Sequence, residues 1–326
     1  CAGKLLRIEA TGQTSGKIAR AMFMDLPSPA TPGTQGQQVH HAGGMANRLA
    51  DNCRAVLDEA AVAPTFERIR SFGAPGSGAY PFARLLQGTD GALYGTASQG
   101  GTSGYGTVFK LNPDGTGFTV LKSFDYVSGS QPQAGLLQGS DGALYGTATY
   151  GGPSGFGTVF KLNTDGTGFT ALRNFDYSTG GYLYSGLVQG TDGALYGTAS
   201  SGGASSYGTV YKLNTDGTGF TVLKDFDYST DGAYLYAGLT QGTDGALYGT
   251  AYYGGIGGYG TVFKLNTDGT GFTVLQNFDY FTTGGYLYGS GVTQGADGAL
   301  YGTTEGGPAG AGTVYMLNTD GTGFTM

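Results

Sequence analysis

From position 66 onward the chain alternates apolar and polar residues in short runs broken by glycine. Residues 134–138 (AGLLQ) form a short apolar run, closed by Gly139-Ser140-Asp141-Gly142. Residues 143–149 (ALYGTAT) follow, then a loop over 150–156. Residues 157–163 (GTVFKLN) set Val159 and Lys161 against Phe160 and Leu162. A turn over 164–168 (TDGTG) leads to 169–175 (FTALRNF), with Phe169, Ala171, Arg173 and Phe175 on one side. A period of two marks strands. Asp-Gly between two such runs marks a hairpin, because its turn needs positive φ. The pattern predicts four short antiparallel strands, a to d, with hairpins at a–b and c–d. No helical period occurs over 66–326.

The unit recurs. DGALYGT begins at Asp90, Asp141, Asp192, Asp244 and Asp297, at spacings of 51, 51, 52 and 53 residues. A second anchor, GTV[FY]xLNxDGTGFT, begins at Gly106, Gly157, Gly208, Gly260 and Gly312. Four-stranded units repeated at this interval predict an all-β fold: a β-propeller, or a sector of one, with five blades of about 51 residues. Solenoid coils are usually shorter, and isolated sheets of this size bury little core. Residues 66–72 (FERIRSF) match strand d (118–124, FTVLKSF), so the array opens on an orphan strand d. It ends inside the fifth strand d, at Phe324-Thr325-Met326. Two expectations follow. Either 66–72 closes a five-bladed ring, or the chain is a fragment of a longer array; the abrupt end favours the second.

At this point the motifs carry a resemblance. G-L-[LV]-Q-G-[ST]-D-G-A-L-Y-G-T followed by G-T-V-[FY]-K-L-N-T-D-G-T-G-F resembles the GloVer tandem repeat of bacterial surface proteins, over residues 66–326. The resemblance implies a secreted or surface-attached array with propeller-type repeats, and it carries no catalytic residues to transfer. The strand order is also similar to blades of the NHL type, with strand a innermost. Residues 1–65 do not share the motif. They contain a linker-like stretch (27–38), one candidate short helix (45–61), Cys1 as a candidate lipidation site, and Cys53. They are expected to be irregular or poorly ordered.

Composition narrows the function. Glycine makes up 66 of 326 residues, which turns, bulges and close strand contacts explain. Aromatic residues at 13 % argue against disorder. A net charge of −7 argues against a nucleic-acid partner, which needs clustered Lys and Arg. No apolar run is long enough for a transmembrane helix. Residues 66–326 contain neither His nor Cys. That removes Ser-His and Cys-His nucleophiles and the usual zinc sites. Glu occurs there only at Glu67 and Glu305. A catalytic site would need a unique polar cluster in a central channel, and Glu305 is the one odd acid expected near it. The expectation is a non-enzymatic protein with no metal or cofactor. The loops at Asn112, Asn163, Asn214, Asn266 and Asn318 loosely follow a calcium-loop spacing. They lack the Glu at the twelfth position, where Asn174 stands in the second copy, and they also make good hairpin turns unaided.

Strands that alternate in direction put the a–b and c–d turns on one face, and the b–c and d–a loops on the other. The second face carries the variable residues, and they are aromatic. The candidate ligand-binding residues are Tyr126, Tyr177, Tyr182, Tyr228, Tyr234, Tyr280, Tyr286, Tyr105, Tyr150, Tyr207 and Tyr259. Tyrosine pairs a flat apolar ring with a polar tip, which suits sugar or protein surfaces. The expected partner is a polysaccharide or a surface protein, and the expected location is extracellular or cell-surface. The alternative is an adhesive or structural spacer in which these rings only pack between blades. In the Tyr-Leu-Tyr elements (182–184, 234–236, 286–288) one Tyr of each pair is expected to be buried. Tyr145, Tyr196, Tyr248 and Tyr301 read as core. Gln87, Gln138, Gln189, Gln241 and Gln294 are expected to bond the Asp-Gly turns.

Overall fold

The computed structural model describes residues 68–73, 76–289 and 291–326. The N-terminal linker, the candidate helix, Cys1 and Cys53 lie outside the described residues. Among the described residues there is no helix, and Ile69–Met326 forms one compact unit. The first blade holds β1 (Leu86–Gln87), β2 (Leu93–Ala97), β3 (Thr107–Leu111) and β4 (Thr119–Ser123). The second holds β5 (Leu137–Gln138), β6 (Leu144–Ala148), β7 (Thr158–Leu162) and β8 (Thr170–Asn174). The third holds β9 (Val188–Gln189), β10 (Leu195–Ala199), β11 (Thr209–Leu213) and β12 (Thr221–Asp225). The fourth holds β13 (Thr240–Gln241), β14 (Leu247–Ala251), β15 (Thr261–Leu265) and β16 (Thr273–Asn277). The fifth holds β17 (Thr293–Gln294), β18 (Leu300–Thr304) and β19 (Thr313–Leu317). Each sheet is antiparallel in simple up-and-down order. The inner ends of all five blades line one channel of about 350 Å³, walled by Gly135, Gly186, Gly238 and Gly291 and by one charged side chain, Arg84.

Local chemistry explains each blade. Gly142 takes φ 80° in the a–b turn and donates to Gly139 O at 2.9 Å. Asp141 Oδ1 accepts from Ala143 N (3.1 Å), while Oδ2 accepts from Tyr145 Oη (2.7 Å) and Lys161 Nζ (2.8 Å). One carboxylate therefore ties the turn to strands b and c. Gly146 opposes Phe160 across β6 and β7, and a Cβ there would stand 2.5 Å from the Phe160 ring. The glycine of the LYGT motif makes room for that ring.

The core lies between blades. The last Phe of strand d packs on the strand c aromatic of the next blade, with ring centroids 4.8–5.1 Å apart. The pairs are Phe124–Phe160, Phe175–Tyr211, Phe226–Phe263 and Phe278–Tyr315. Phe72 repeats this on the first blade, 5.0 Å from Phe109. The end of the orphan strand thus packs on blade one as strands d do elsewhere.

Two expectations need correction, and one pair of alternatives is narrowed. Strand a is only two residues long, because its first carbonyl turns to the preceding blade: Thr96 Oγ1 donates to Ala134 O at 2.9 Å, and Thr147 Oγ1 to Ser185 O at 2.8 Å. Strand d does not alternate strictly. A bulge opposite Val159 and Phe160 lets Leu172 and Phe175 enter the same core cluster and leaves Ala171 exposed. Of the two alternatives for the fifth blade, closure by 66–72 finds no support among the described residues, since 68–72 form no ladder with β19. Thr325 takes the place beside β19, exchanging two backbone hydrogen bonds of 2.9 Å with Met316. It follows directly from the c–d hairpin, so its loop is the shorter one to close.

Candidate ligand-binding face

The two faces of the blade array differ in kind. On the hairpin face the polar groups satisfy one another. The Lys110 ammonium, with Tyr94 Oη, holds the Asp90 carboxyl down to about 2. Burial works against the charges of Asp141, Asp192 and Asp244. Their lysine, tyrosine and backbone donors outweigh it, and these carboxyls also lie below the usual range. In the c–d turn, Asp165 Oδ1 accepts from Thr167 N (2.9 Å) and Thr167 Oγ1 (2.6 Å), and Asn163 Nδ2 donates to Thr167 Oγ1 (3.0 Å). These bonds tie the turn to itself. Among the described residues no three His, Cys, Asp or Glu gather in a way that could hold a metal ion. No described helix is long and apolar enough to cross a membrane.

The other face is built from the b–c and d–a loops, held together by bridges such as Ser130↔Tyr150 and Gly181↔Ser201. Each d–a loop contains a residue at positive φ: Tyr80 (58°), Gln131 (52°), Tyr182 (62°), Tyr234 (60°) and Tyr286 (63°). This conformation is strained for residues with a Cβ. Two backbone bonds impose it. Tyr182 N donates to Phe156 O of the preceding blade (2.8 Å), and its own carbonyl accepts from Ser200 N (3.2 Å). Tyr234 and Tyr286 repeat the first bond, to Tyr207 O (3.0 Å) and Tyr259 O (2.9 Å). These three tyrosines are staples between blades as well as surface residues.

The eleven candidate tyrosines fall into an outer row and a junction set. Tyr126, Tyr177 and Tyr228 are exposed by 47, 41 and 40 % and occupy the same place in successive blades. Each is backed by the aromatic that precedes strand c: Tyr105 at 5.7 Å, Phe156 at 5.3 Å and Tyr207 at 5.4 Å. Tyr280 continues the row against Tyr259 at 5.7 Å, half-buried beside exposed Phe281. Tyr105 is exposed, whereas Tyr150, Tyr207 and Tyr259 are half-buried. Tyr182, Tyr234 and Tyr286 are half-buried at the junctions.

Sequence reasoning left an inner belt out of the candidate set. Tyr184, Tyr236 and Tyr288 line up from blade to blade, with centroids 5.2 and 5.1 Å apart. Tyr150 joins one end, its Oη 2.6 Å from Tyr184 Oη. Tyr252 fits between Tyr236 and Tyr288, 5.5 Å from each. The expectation that one Tyr of each Tyr-Leu-Tyr pair is buried is corrected here. The leucines Leu183, Leu235 and Leu287 are buried, and both tyrosines reach the surface. A positive-φ residue followed by a bond from Tyr184 N to Tyr182 O (3.1 Å) is not a strand start, so period-two alternation does not apply. The visible signal was the tripeptide itself, recurring in three copies.

The family model of the Gloeobacter/Verrucomicrobia repeat matches residues 44–191 and 167–326. The chain belongs to that family. The GloVer repeat is thus a four-stranded blade, with its DGALYGT motif spanning the a–b hairpin and strand b and its LNTDGTGF motif at the c–d hairpin. No curated protein matches this GloVer chain. Among solved structures it is similar to a chain of a nidogen/laminin complex (16 % identity, TM-score 0.49, covering 76 % of this chain and 78 % of that one). It is also similar to a gluconolactonase from Xanthomonas campestris (16 %, 0.46, covering 75 and 75 %). A protein of unknown function from Dyadobacter fermentans is a third (14 %, 0.48, covering 77 and 82 %).

Proposed function

We propose that this GloVer array is a non-enzymatic binding module of the cell exterior that holds an extended polysaccharide on its loop face. The observation that carries the reading is the outer row: Tyr126, Tyr177 and Tyr228 keep their rings in solvent at one register, each braced from behind. Rings that served only to fill junctions would be covered, as Tyr94, Tyr145, Tyr196 and Tyr248 are. A row repeating once per blade suits a polymer that repeats its own unit, because several weak stacking contacts on one chain add through avidity. Repeats free of Cys suit an oxidising exterior. The junction role of Tyr182, Tyr234 and Tyr286 supports the second reading, a structural spacer.

Affinity electrophoresis through gels containing neutral polysaccharides separates the two. The protein is expected to be retarded by at least one β-glucan. The triple variant Tyr126→Ala, Tyr177→Ala, Tyr228→Ala should keep its circular dichroism melt and lose the retardation. Unchanged retardation of the triple variant removes the outer row as the site, and no retardation on any gel leaves the spacer reading.

A further inference from the structure

We infer that the inner tyrosine belt is a single-copy subsite for a cationic amino sugar, a deepening that rests on the polysaccharide reading above. The belt is not repeated evenly. The positions equivalent to Tyr184, Tyr236 and Tyr288 hold Phe82 and Gln133 in the first two blades, and the position of Tyr252 holds Ser98, Thr149, Ser200 and Glu305 in the other four. Aromatic character therefore gathers from Tyr150 to Tyr288 and ends at a carboxylate. The Glu305 backbone N–H donates to Tyr286 O at 3.0 Å, which sets this acid beside the belt. Its charge, after burial and the Tyr253 hydrogen bond, helps push the Tyr252 phenol up.

Most cations of the blades are engaged elsewhere. Lys110, Lys161, Lys212 and Lys264 pair with hairpin aspartates, and Lys122, Arg173 and Lys224 lie over Phe169, Phe220 and Phe272. Arg84 lines the channel from the first blade, which presents Phe82 and Gln99 instead of belt tyrosines. The belt rings meet edge-to-face or tilted, and an aromatic face left open to solvent beside an acid attracts positive charge. Ring centroids 5.1–5.5 Å apart leave no space between the rings, so the belt is an open platform and not an enclosed cage for a trimethylammonium group. A pyranose ring can lie on Tyr288, which is 55 % exposed, with its ammonium directed to Glu305.

Calorimetric titration at pH 5.5 tests this with three probes: a glucosamine hexamer, an N-acetylglucosamine hexamer and a neutral β-glucan hexamer. The glucosamine hexamer should bind roughly 3–10-fold tighter than the acetylated one, the range expected for an exposed cation–π contact with a neighbouring carboxylate. Glu305→Gln should abolish that preference and leave β-glucan binding unchanged, while Tyr288→Leu, which removes the platform, should abolish the preference by weakening the glucosamine hexamer most. Equal binding of all three hexamers overturns the amino-sugar subsite while the polysaccharide reading stands. A preference that survives both substitutions also overturns it. Failure of every hexamer to bind, together with no retardation on gels, overturns both.

Discussion

Gln138 Oε1 accepts a hydrogen bond of 2.9 Å from the backbone N–H of Thr89, 49 positions earlier in the chain. The same carboxamide donates to Gly142 O at 3.0 Å. Gln189, Gln241 and Gln294 repeat both bonds, to Ser140, Thr191 and Thr243 on one side and to Gly193, Gly245 and Gly298 on the other. One side chain thus closes its own hairpin and clips it to the preceding blade. Gln189→Ala removes two hydrogen bonds, each worth about 0.5–1.5 kcal/mol net. The expected loss is about 1–2 kcal/mol in urea unfolding, and a midpoint equal to wild type would show that water replaces both bonds at no cost.

Tyr211 should be improved by losing its hydroxyl. Its Oη is buried with no hydrogen-bond partner; the equivalent residue is Phe109, Phe160 and Phe263 in the first, second and fourth blades and Tyr315, whose Oη is likewise unpartnered, in the fifth. Burial alone pushes this phenol up. Tyr211→Phe should stabilise by about 1 kcal/mol, the cost of an unmet buried polar group, and Phe160→Tyr should destabilise by a similar amount. Thermal melts of the two variants moving in the same direction would contradict this account.

The positive-φ staple makes an unusual ordering of variants. Tyr182→Ala and Tyr182→Gly lose the same ring contacts with Tyr150 and Phe156. Glycine alone is free of strain at φ 62°. Tyr182→Gly should therefore be more stable than Tyr182→Ala by about 1 kcal/mol, the reverse of the ordinary ranking in strands and helices. Paired denaturant curves check the sign.

Acid should loosen the hairpin face within a defined window. Asp90 has its carboxyl held down to about 2 in the folded protein, against 3.8 without its partners. A depressed folded value contributes stability above the unfolded value, and that contribution is lost as pH falls toward the folded one. Asp141, Asp192 and Asp244 are shifted the same way. The melting temperature should hold down to about pH 4.5 and fall between about pH 4 and 2. These ion pairs are partly exposed, so added salt should reduce the drop. Lys161→Met copies the fifth blade, where Met316 faces Tyr301 across the sheet, and should flatten the acid limb measured by calorimetry.

The blade was legible in the sequence because its determinants are local. Asp141-Gly142 needs a turn, the alternation over 157–163 needs a sheet, and five copies cannot each bury an apolar face alone. The same locality disclosed that Gln138 bonds its own Asp-Gly turn, through Gly142 four residues on, but not its bond to Thr89 of the preceding blade. What stayed illegible depends on a second blade. The carbonyl of Ala134 leaves its own sheet for Thr96, so strand a is shorter than its apolar run. Leu172 follows Phe175 into the next junction through a bulge.

The binding face divides along the same line. Its position was set by alternating strand direction, which the sequence by itself determines. Which tyrosines are free was decided by tertiary structure. Tyr126 and Tyr182 look alike as loop residues, yet one stands in solvent against Tyr105, while the other is held at positive φ by Phe156 of the neighbouring blade. The inner belt exists only once three blades stand side by side, because Tyr184, Tyr236 and Tyr288 are about 52 residues apart in the chain and about 5 Å apart in space. Periodicity records what each repeat does to its own backbone; the distance between one repeat's side chain and the next is set by packing between sheets.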